Sequence, residues 1–330
     1  MYWDFRLTLE MAVGHIIDDG QDGKTELLAR RSLVRDTNRR EFLGLLPAAV
    51  VTPAAGLRGA APKKIPVGGH VWVYAAVQPR NDVTPVLDQI FSDMSYAGLD
   101  GIELMHVSFR ADDSVAQVRG LSRKYNLPVI GMSYSAMMWD RERAAAQFEE
   151  ARKLIGRLAE VGGHTLGTSV GAAKTKKTPE QFDAQADYLR KLIEVCNSNE
   201  VKLNLHNHTY EVANNEYDLT GTLARIPEVK LGPDLDWLVA AGVDPSDFIR
   251  RYNKKIIFAH LRDRKSDGTW PEAMGEGNLD YAAYGRAFRA FGFDGDLVIE
   301  LAHPANFKLT RPLRESWKMS REYVRRTMGY

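Results

Sequence analysis

The sequence predicts a single TIM-type (β/α)₈ barrel, α/β in class, preceded by a non-globular N-terminal export segment. Three observations lead there. From residue 68 onward, eight short β-rich runs alternate with amphipathic helical patterns. Removing the N-terminal segment from the 330 residues leaves roughly 270, close to the length of one such barrel. Finally, no glycine-rich phosphate fingerprint follows the first strand, as it usually does in an open nucleotide-binding sheet.

The expected strands are 70–76, 101–106, 128–134, 164–168, 201–207, 230–236, 256–261 and 296–302. Helical patterns lie between them at 84–97, 114–125, 141–161, 179–199 and 280–291. Thr178-Pro179-Glu180 is a helix start with proline at the first helical position, and Asp244-Pro245 opens another. Gly98, Gly162-Gly163 and Gly292 fall near helix ends, where left-handed caps favour glycine. Strands joined in this order through helices imply an all-parallel sheet with right-handed crossovers. One domain, 65–330, accounts for the pattern.

Ahead of it, Thr37-Asn38-Arg39-Arg40-Glu41-Phe42-Leu43 resembles a twin-arginine signal. A short apolar stretch, 43–51, and small residues around Gly59-Ala60-Ala61 follow. The segment 37–61 is therefore expected to direct export by the twin-arginine machinery to a periplasmic or extracellular location. The apolar stretch is too short for stable membrane insertion. Residues 1–36 are expected to be a disordered leader or an extension from a mis-assigned start.

Composition excludes some functions. With 44% apolar and 26% charged residues the chain reads as an ordinary globular enzyme. A net charge of +1 implies no nucleic-acid partner. Cys196, the only cysteine, precludes an intrachain disulfide framework and a CxxC zinc site; it is expected to be buried on a helix. Oligomeric state is left open, a homo-oligomer among the possibilities.

Barrel enzymes build their sites from strand ends and the loops that follow. The polar residues at those ends are Glu103 and His106; His206, Asn207, His208 and Glu211; Asp234 and Asp236; His260, Arg262 and Asp263; and Glu300 and His303. Imidazoles and carboxylates from four consecutive strands suit a divalent cation such as Mn²⁺, Zn²⁺, Co²⁺, Fe²⁺ or Mg²⁺. Burying such groups unpartnered is costly.

Five segments carry a family resemblance. They are Leu203-Asn204-Leu205-His206-Asn207-His208; Gly232-Pro233-Asp234-Leu235-Asp236-Trp237 with Ala241-Gly242-Val243-Asp244-Pro245; Ala259-His260-Leu261-Arg262-Asp263; Met274-Gly275-Glu276-Gly277-Asn278-Leu279-Asp280; and Gly295-Asp296-Leu297-Val298-Ile299-Glu300. From about residue 65 onward the chain resembles the xylose-isomerase-like superfamily, the sugar phosphate isomerase/epimerase family. The resemblance implies one metal ligand from each of strands 5 to 8: His206, Asp234, His260 and Glu300. Many members have glutamate at the first position, and many have histidine where Trp237 stands. Epimerases of the superfamily use two metal-bound glutamates as opposed bases. A metal-bound imidazole cannot be the second base, so His206 favours single-base chemistry.

The expected activity is that of a metal-dependent isomerase or epimerase acting through an enediolate on a non-phosphorylated sugar, polyol ketone or keto-glycoside. Glu300 is the first candidate base, with Glu103, His208 and Glu211 as alternatives. His106, Arg262, Asp263 and Trp237 are expected on the substrate side, Arg262 and Asp263 binding hydroxyls or orienting His260. Trp139 and Trp270 are candidates to stack on a sugar face or to pack the rim. The competing functions are a lyase or hydratase on 3-keto-glycosides, a non-catalytic periplasmic sugar-binding protein, and endonuclease IV-like DNA cleavage. The charge and the export signal argue against the last.

Overall fold

Alternation of strand and helix runs through the whole described chain. The computed structural model describes residues 64–304 and 306–330; the expected leader and export segment lie outside them. The strands are β1 Val67–His70, β2 Ile102–Met105, β3 Val129–Ser135, β4 Thr165–Ser169, β5 Lys202–Leu205, β6 Lys230–Leu231, β7 Phe258–Leu261 and β8 Asp296–Ile299. All pair in parallel, in the order β6-β5-β4-β3-β2-β1-β8-β7. The two ends, β6 and β7, are joined only by isolated bridges, Leu231 to Ile256 and Asp234 to His260. The result is a nearly closed TIM barrel.

The helices are α1 Trp72–Ala75, α2 Leu87–Tyr96, α3 Ser114–Tyr125, α4 Arg141–Glu160, α5 Pro179–Ser198, α6 Thr209–Leu223, α7 Leu235–Ala240, α8 Pro245–Tyr252, α9 Tyr281–Ala290 and α10 Leu313–Met328. Their starts follow the expected chemistry. Thr178 and Gln181 close a reciprocal capping box on α5. Asp244 caps α8 through the Asp247 amide, with Pro245 at the first helical position. Gly98, Gly162 and Gly292 have positive φ. Cys196 is buried on α5, and burial pushes its thiol up to about 12.

Strand 1 needs correcting. The run 71–76 is apolar and β-branched enough to read as a strand, yet α1 occupies it and the strand is Val67–His70. Gly68 and Gly69 disguise the true strand as a turn. A Cβ on Gly68 meets Ile130 Cδ1 at 2.6 Å, and one on Gly69 meets Leu99 Cδ1 at 2.8 Å, so packing in the wall leaves no space for a side chain. Strand 6 is also shorter than expected: the chain turns into α7 directly after Asp234.

Side-chain alternation sets the depth of the site. Phe258 and Val298, two residues before His260 and Glu300, form a buried apolar cluster with Ile130. This layer floors the polar one. Large buried rings outside the wall, Phe91, Phe248, Phe288 and Trp317 among them, bind the helices to the sheet. Each contributes about 1.5–3 kcal/mol.

Candidate metal centre

Asp234 occupies the turn from β6 into α7 and is the helix cap. Its Oδ1 accepts from the amides of Asp236 at 2.9 Å and Trp237 at 3.0 Å. That fixes the carboxylate and leaves Oδ2 on the barrel side, 2.9 Å from Arg262 Nη2. Asn207 ties the next strand to it, donating to the Asp234 carbonyl and accepting from its amide. His206 follows β5, and its Nδ1 lies 3.1 Å from His260 Nδ1. His206, Asp234 and His260 each offer a ligand atom within 4.8 Å of the others. Donor atoms bound to one ion at about 2.1 Å lie roughly 3.4 Å apart in a tetrahedron and at most about 4.2 Å apart, so binding needs a contraction of about 1 Å.

His260 Nδ1 is also 3.2 Å from Glu300 Oε2, while its Nε2 is 2.5 Å from Glu103 Oε2 on the opposite wall. Glu300 Oε1 meets Arg262 Nη2 at 2.7 Å. Four of the expected residues therefore converge with Glu103 and Arg262. His70 at the end of β1 joins them: its Nδ1 is 3.8 Å from Glu300 Oε2 and its Nε2 is 2.9 Å from Ser133 Oγ. The sequence reading missed His70 because it started strand 1 three residues too late; a histidine ending a buried Val-Gly-Gly run was the available signal.

A divalent ion suits this set. Three carboxylates, Glu103, Asp234 and Glu300, surround one guanidinium, so with neutral imidazoles the cluster carries two net negative charges. Asp236 and Arg264 cancel in a two-bond pair at 2.5 and 2.8 Å. If His260 Nε2–H donates to Glu103, its Nδ1 lone pair faces His206 and Glu300 across a gap that needs a cation. Without an ion, a proton fills that role. Burial opposes the charged ring, but Glu103, Glu300 and Asp234 outweigh it and push His260 up to about 9. His206 is driven well below its usual value by burial and then by His260. Burial raises the Asp234 carboxyl, Arg262 opposing.

Other expected residues flank this centre. His208 stacks on Tyr210, with ring centroids 5.6 Å apart, and lies 5.8 Å from Trp237. Its Nδ1 is 3.2 Å from Ser169 Oγ, and its amide donates to Glu211 at 2.7 Å. Glu211 is buried and pushed up to about 8 by burial and Asp218. His106 stands further out, edge-on to Tyr134 at 5.7 Å, and burial lowers it to about 4. His303 packs on Phe307 with its Nε2 near the Glu272 carbonyl, in the loop after β8. Trp139 Nε1 donates to the Gly171 carbonyl. Trp270 lies edge-on to Trp237 at 5.7 Å and donates to Asp236.

Asp263 points elsewhere. Its carboxylate accepts from the amides of Arg264, Gly275, Gly277 and Leu279, at 2.8–3.3 Å. The Gly-Glu-Gly turn is shaped for that contact: Gly275 has φ +93, and a Cβ on Gly277 meets Asp263 Oδ1 at 2.2 Å. Backbone strain gathers on the other rim. Asn214, Asn215 and Glu216 all have φ of 53–59° inside α6. Glu216 is gripped by Arg251 at 2.5 and 2.9 Å and by Tyr252 at 2.7 Å.

A family model described as a xylose isomerase-like TIM barrel matches residues 91–327. The chain belongs to that family. No curated protein sequence matches it significantly. Among solved structures of the xylose isomerase-like fold, it resembles a D-allulose 3-epimerase from Methylomonas sp. in complex with D-allulose, with TM-score 0.66, 17% identity, 81% of this chain and 98% of the other covered. It also resembles an L-ribulose 3-epimerase, with TM-score 0.65, 21% identity and 81% and 95% covered. A third likeness is the 3-keto-D-glucoside 4-epimerase of E. coli, with TM-score 0.64, 17% identity and 80% and 100% covered. At these identities the likeness speaks for the fold. Among the described residues, no helix is long and apolar enough to cross a membrane.

Proposed function

We propose that the protein is a divalent-metal-dependent isomerase or epimerase of a sugar, polyol ketone or keto-glycoside. The observation that carries this reading is the convergence of His206, Asp234, His260 and Glu300 at one barrel mouth. The sugar epimerases among its structural neighbours support the substrate class. Export by the twin-arginine route, the reading of residues 37–61, favours a non-phosphorylated substrate.

Those four residues would hold the ion, and Glu103 fixes the tautomer and tilt of His260. Bound there, a divalent ion supplies Lewis acidity toward a ketone oxygen and its neighbouring hydroxyl. Glu300 takes the proton from the carbon that bears that hydroxyl, and the electron pair moves into an enediolate. Return of that proton to the former carbonyl carbon, with the hydroxyl proton passing to the former carbonyl oxygen, gives the isomer. Trp237, beside His208 and Trp270, walls the substrate side with apolar surface, and Arg262 reaches it from β7.

A second reading is a lyase on 3-keto-glycosides, in which the same enediolate expels a β-substituent. Glu103, tied to His260 at 2.5 Å, supports single-base chemistry, which elimination shares with isomerisation. Incubating the metal-loaded protein with free ketoses, inososes and 3-keto-glycosides in D₂O tests both. Deuterium uptake without β-substituent loss supports isomerisation; loss of the substituent supports the lyase. Glu300→Gln should keep the fold and the metal while turnover falls about 10²–10⁴-fold. Sugar binding unchanged by that substitution, with no exchange in the parent, leaves a binding protein.

A further inference from the structure

Arg262 has more donors than its ion pairs use. Nη2 serves both carboxylates, Asp234 at 2.9 Å and Glu300 at 2.7 Å. Nε and Nη1 are buried without a hydrogen-bond partner; the nearest acid to Nε, Asp236 Oδ2, is 4.0 Å away. The residue is only 3% exposed. Its guanidinium lies 5.3 Å from the ring centroids of both Trp237 and Trp270, which supply no oxygen acceptor. Leaving donors of a buried cation unmet costs several kcal/mol, whereas a lysine could neutralise two carboxylates without bringing them.

The side chain is also held in place. The Tyr281 hydroxyl accepts from the Arg262 amide at 2.7 Å and donates to its carbonyl at 2.6 Å. Two aromatic rings and two carboxylates then fix the guanidinium plane. Trp270, Met274, Glu300 and Ala302 border it where the chain leaves β7 and β8.

We propose that Arg262 is a catalytic residue of the reaction proposed above, donating from its unspent N–H groups to the substrate oxygen that gains negative charge. The inference rests on that reading and narrows the substrate to one whose α-carbon, once deprotonated by Glu300, delocalises charge onto an oxygen within reach of Nε and Nη1. The step balances without a further reactant. The C–H bond breaks, its proton goes to Glu300, and its electron pair becomes the C=C bond of the enediolate while the carbonyl π pair becomes the oxyanion lone pair.

Binding, not turnover, tests it. The probes are glycolohydroxamate, a planar oxyanion that imitates an enediolate, and xylitol, a neutral polyol, each titrated calorimetrically into the Mn²⁺-loaded full chain. Arg262→Lys keeps a cation beside Asp234 and Glu300 but lacks the extra donors; Arg262→Met removes both. Metal content is measured on every sample. With metal retained, hydroxamate affinity should fall about 100-fold in the lysine variant, as for loss of an oxyanion donor, while xylitol changes less than about threefold. Equal loss for both probes, no loss for either, or a parent protein that does not prefer the hydroxamate overturns the proposal. If the parent exchanges deuterium into no ketose yet shows the Arg262-dependent preference, the function reading fails and the oxyanion site stands.

Discussion

Glu103 and His260 meet across the barrel, Oε2 to Nε2 at 2.5 Å, although β2 and β7 are separated by β1 and β8 in the sheet. The contact spans the lumen, and it decides which ring nitrogen faces His206. Glu103→Gln should weaken affinity for the ion about 10–100-fold. Competition titration against a metal indicator measures it. An unchanged dissociation constant would remove Glu103 from the metal's support.

Asp263 is an anchor of the segment between β7 and α9. Asp263→Ala leaves four backbone amides, all on part-buried or exposed residues, without their charged acceptor, and the protein should lose about 2–3 kcal/mol. Chemical denaturation reads this directly. Limited proteolysis should cut within 264–279 before any other part of the barrel. A variant of parental stability that has lost only sugar affinity would make Asp263 a substrate contact instead.

His106 gives a pH signature away from the metal ligands. Burial lowers its folded pKa to about 4 from the ordinary 6.5. The unfolded chain therefore binds the proton first. The stability held by the neutral ring is complete above pH 6.5 and is lost as pH falls toward 4. The slope is about 1.4 kcal/mol per pH unit, about 3 kcal/mol over the interval. His106→Gln should flatten the urea midpoint between pH 6.5 and 4.5 relative to the parent. Parallel curves would contradict this.

Glu216 sits at φ +59 and owes its place to Arg251 and Tyr252. Arg251→Ala leaves a buried carboxylate without its cation and should cost about 2 kcal/mol. That corresponds to a melting temperature about 4–8 °C lower. Calorimetry reads it, and a shift under 1 °C would mean that the left-handed turn holds itself.

Much of this was legible because the chemistry of the elements is local. Thr178-Pro179 and Asp244-Pro245 announce helices through their own side chains, and α3 begins and ends where its pattern does. His206, Asp234, His260 and Glu300 were legible as members of a larger strand-end set, because strand ends in a barrel share one mouth; the family resemblance is what singled them out. What failed was non-local. Gly68 and Gly69 form a strand because Ile130 and Leu99 press on them, and neither contact is written near residue 68. Asp263 adjoins a ligand strand and reads as site chemistry, but the twelve or more residues that loop back onto it decide otherwise. The free donors of Arg262 were partly legible, since i and i+2 on a strand share a face with His260.

The wall has one weak line, between β6 and β7, where two isolated bridges replace a ladder. Asp234 and His260 stand on opposite sides of it and form one of those bridges. An ion shared by their side chains would be a rivet through the seam, as structural as it is chemical. Stripping it with a chelator should speed amide exchange at Leu231, Ile257 and His260, whose N–H groups cross that line, while β3 and β4 stay protected. Cargo and clasp would then be the same event: the cylinder would finish closing as it acquired its reactive centre.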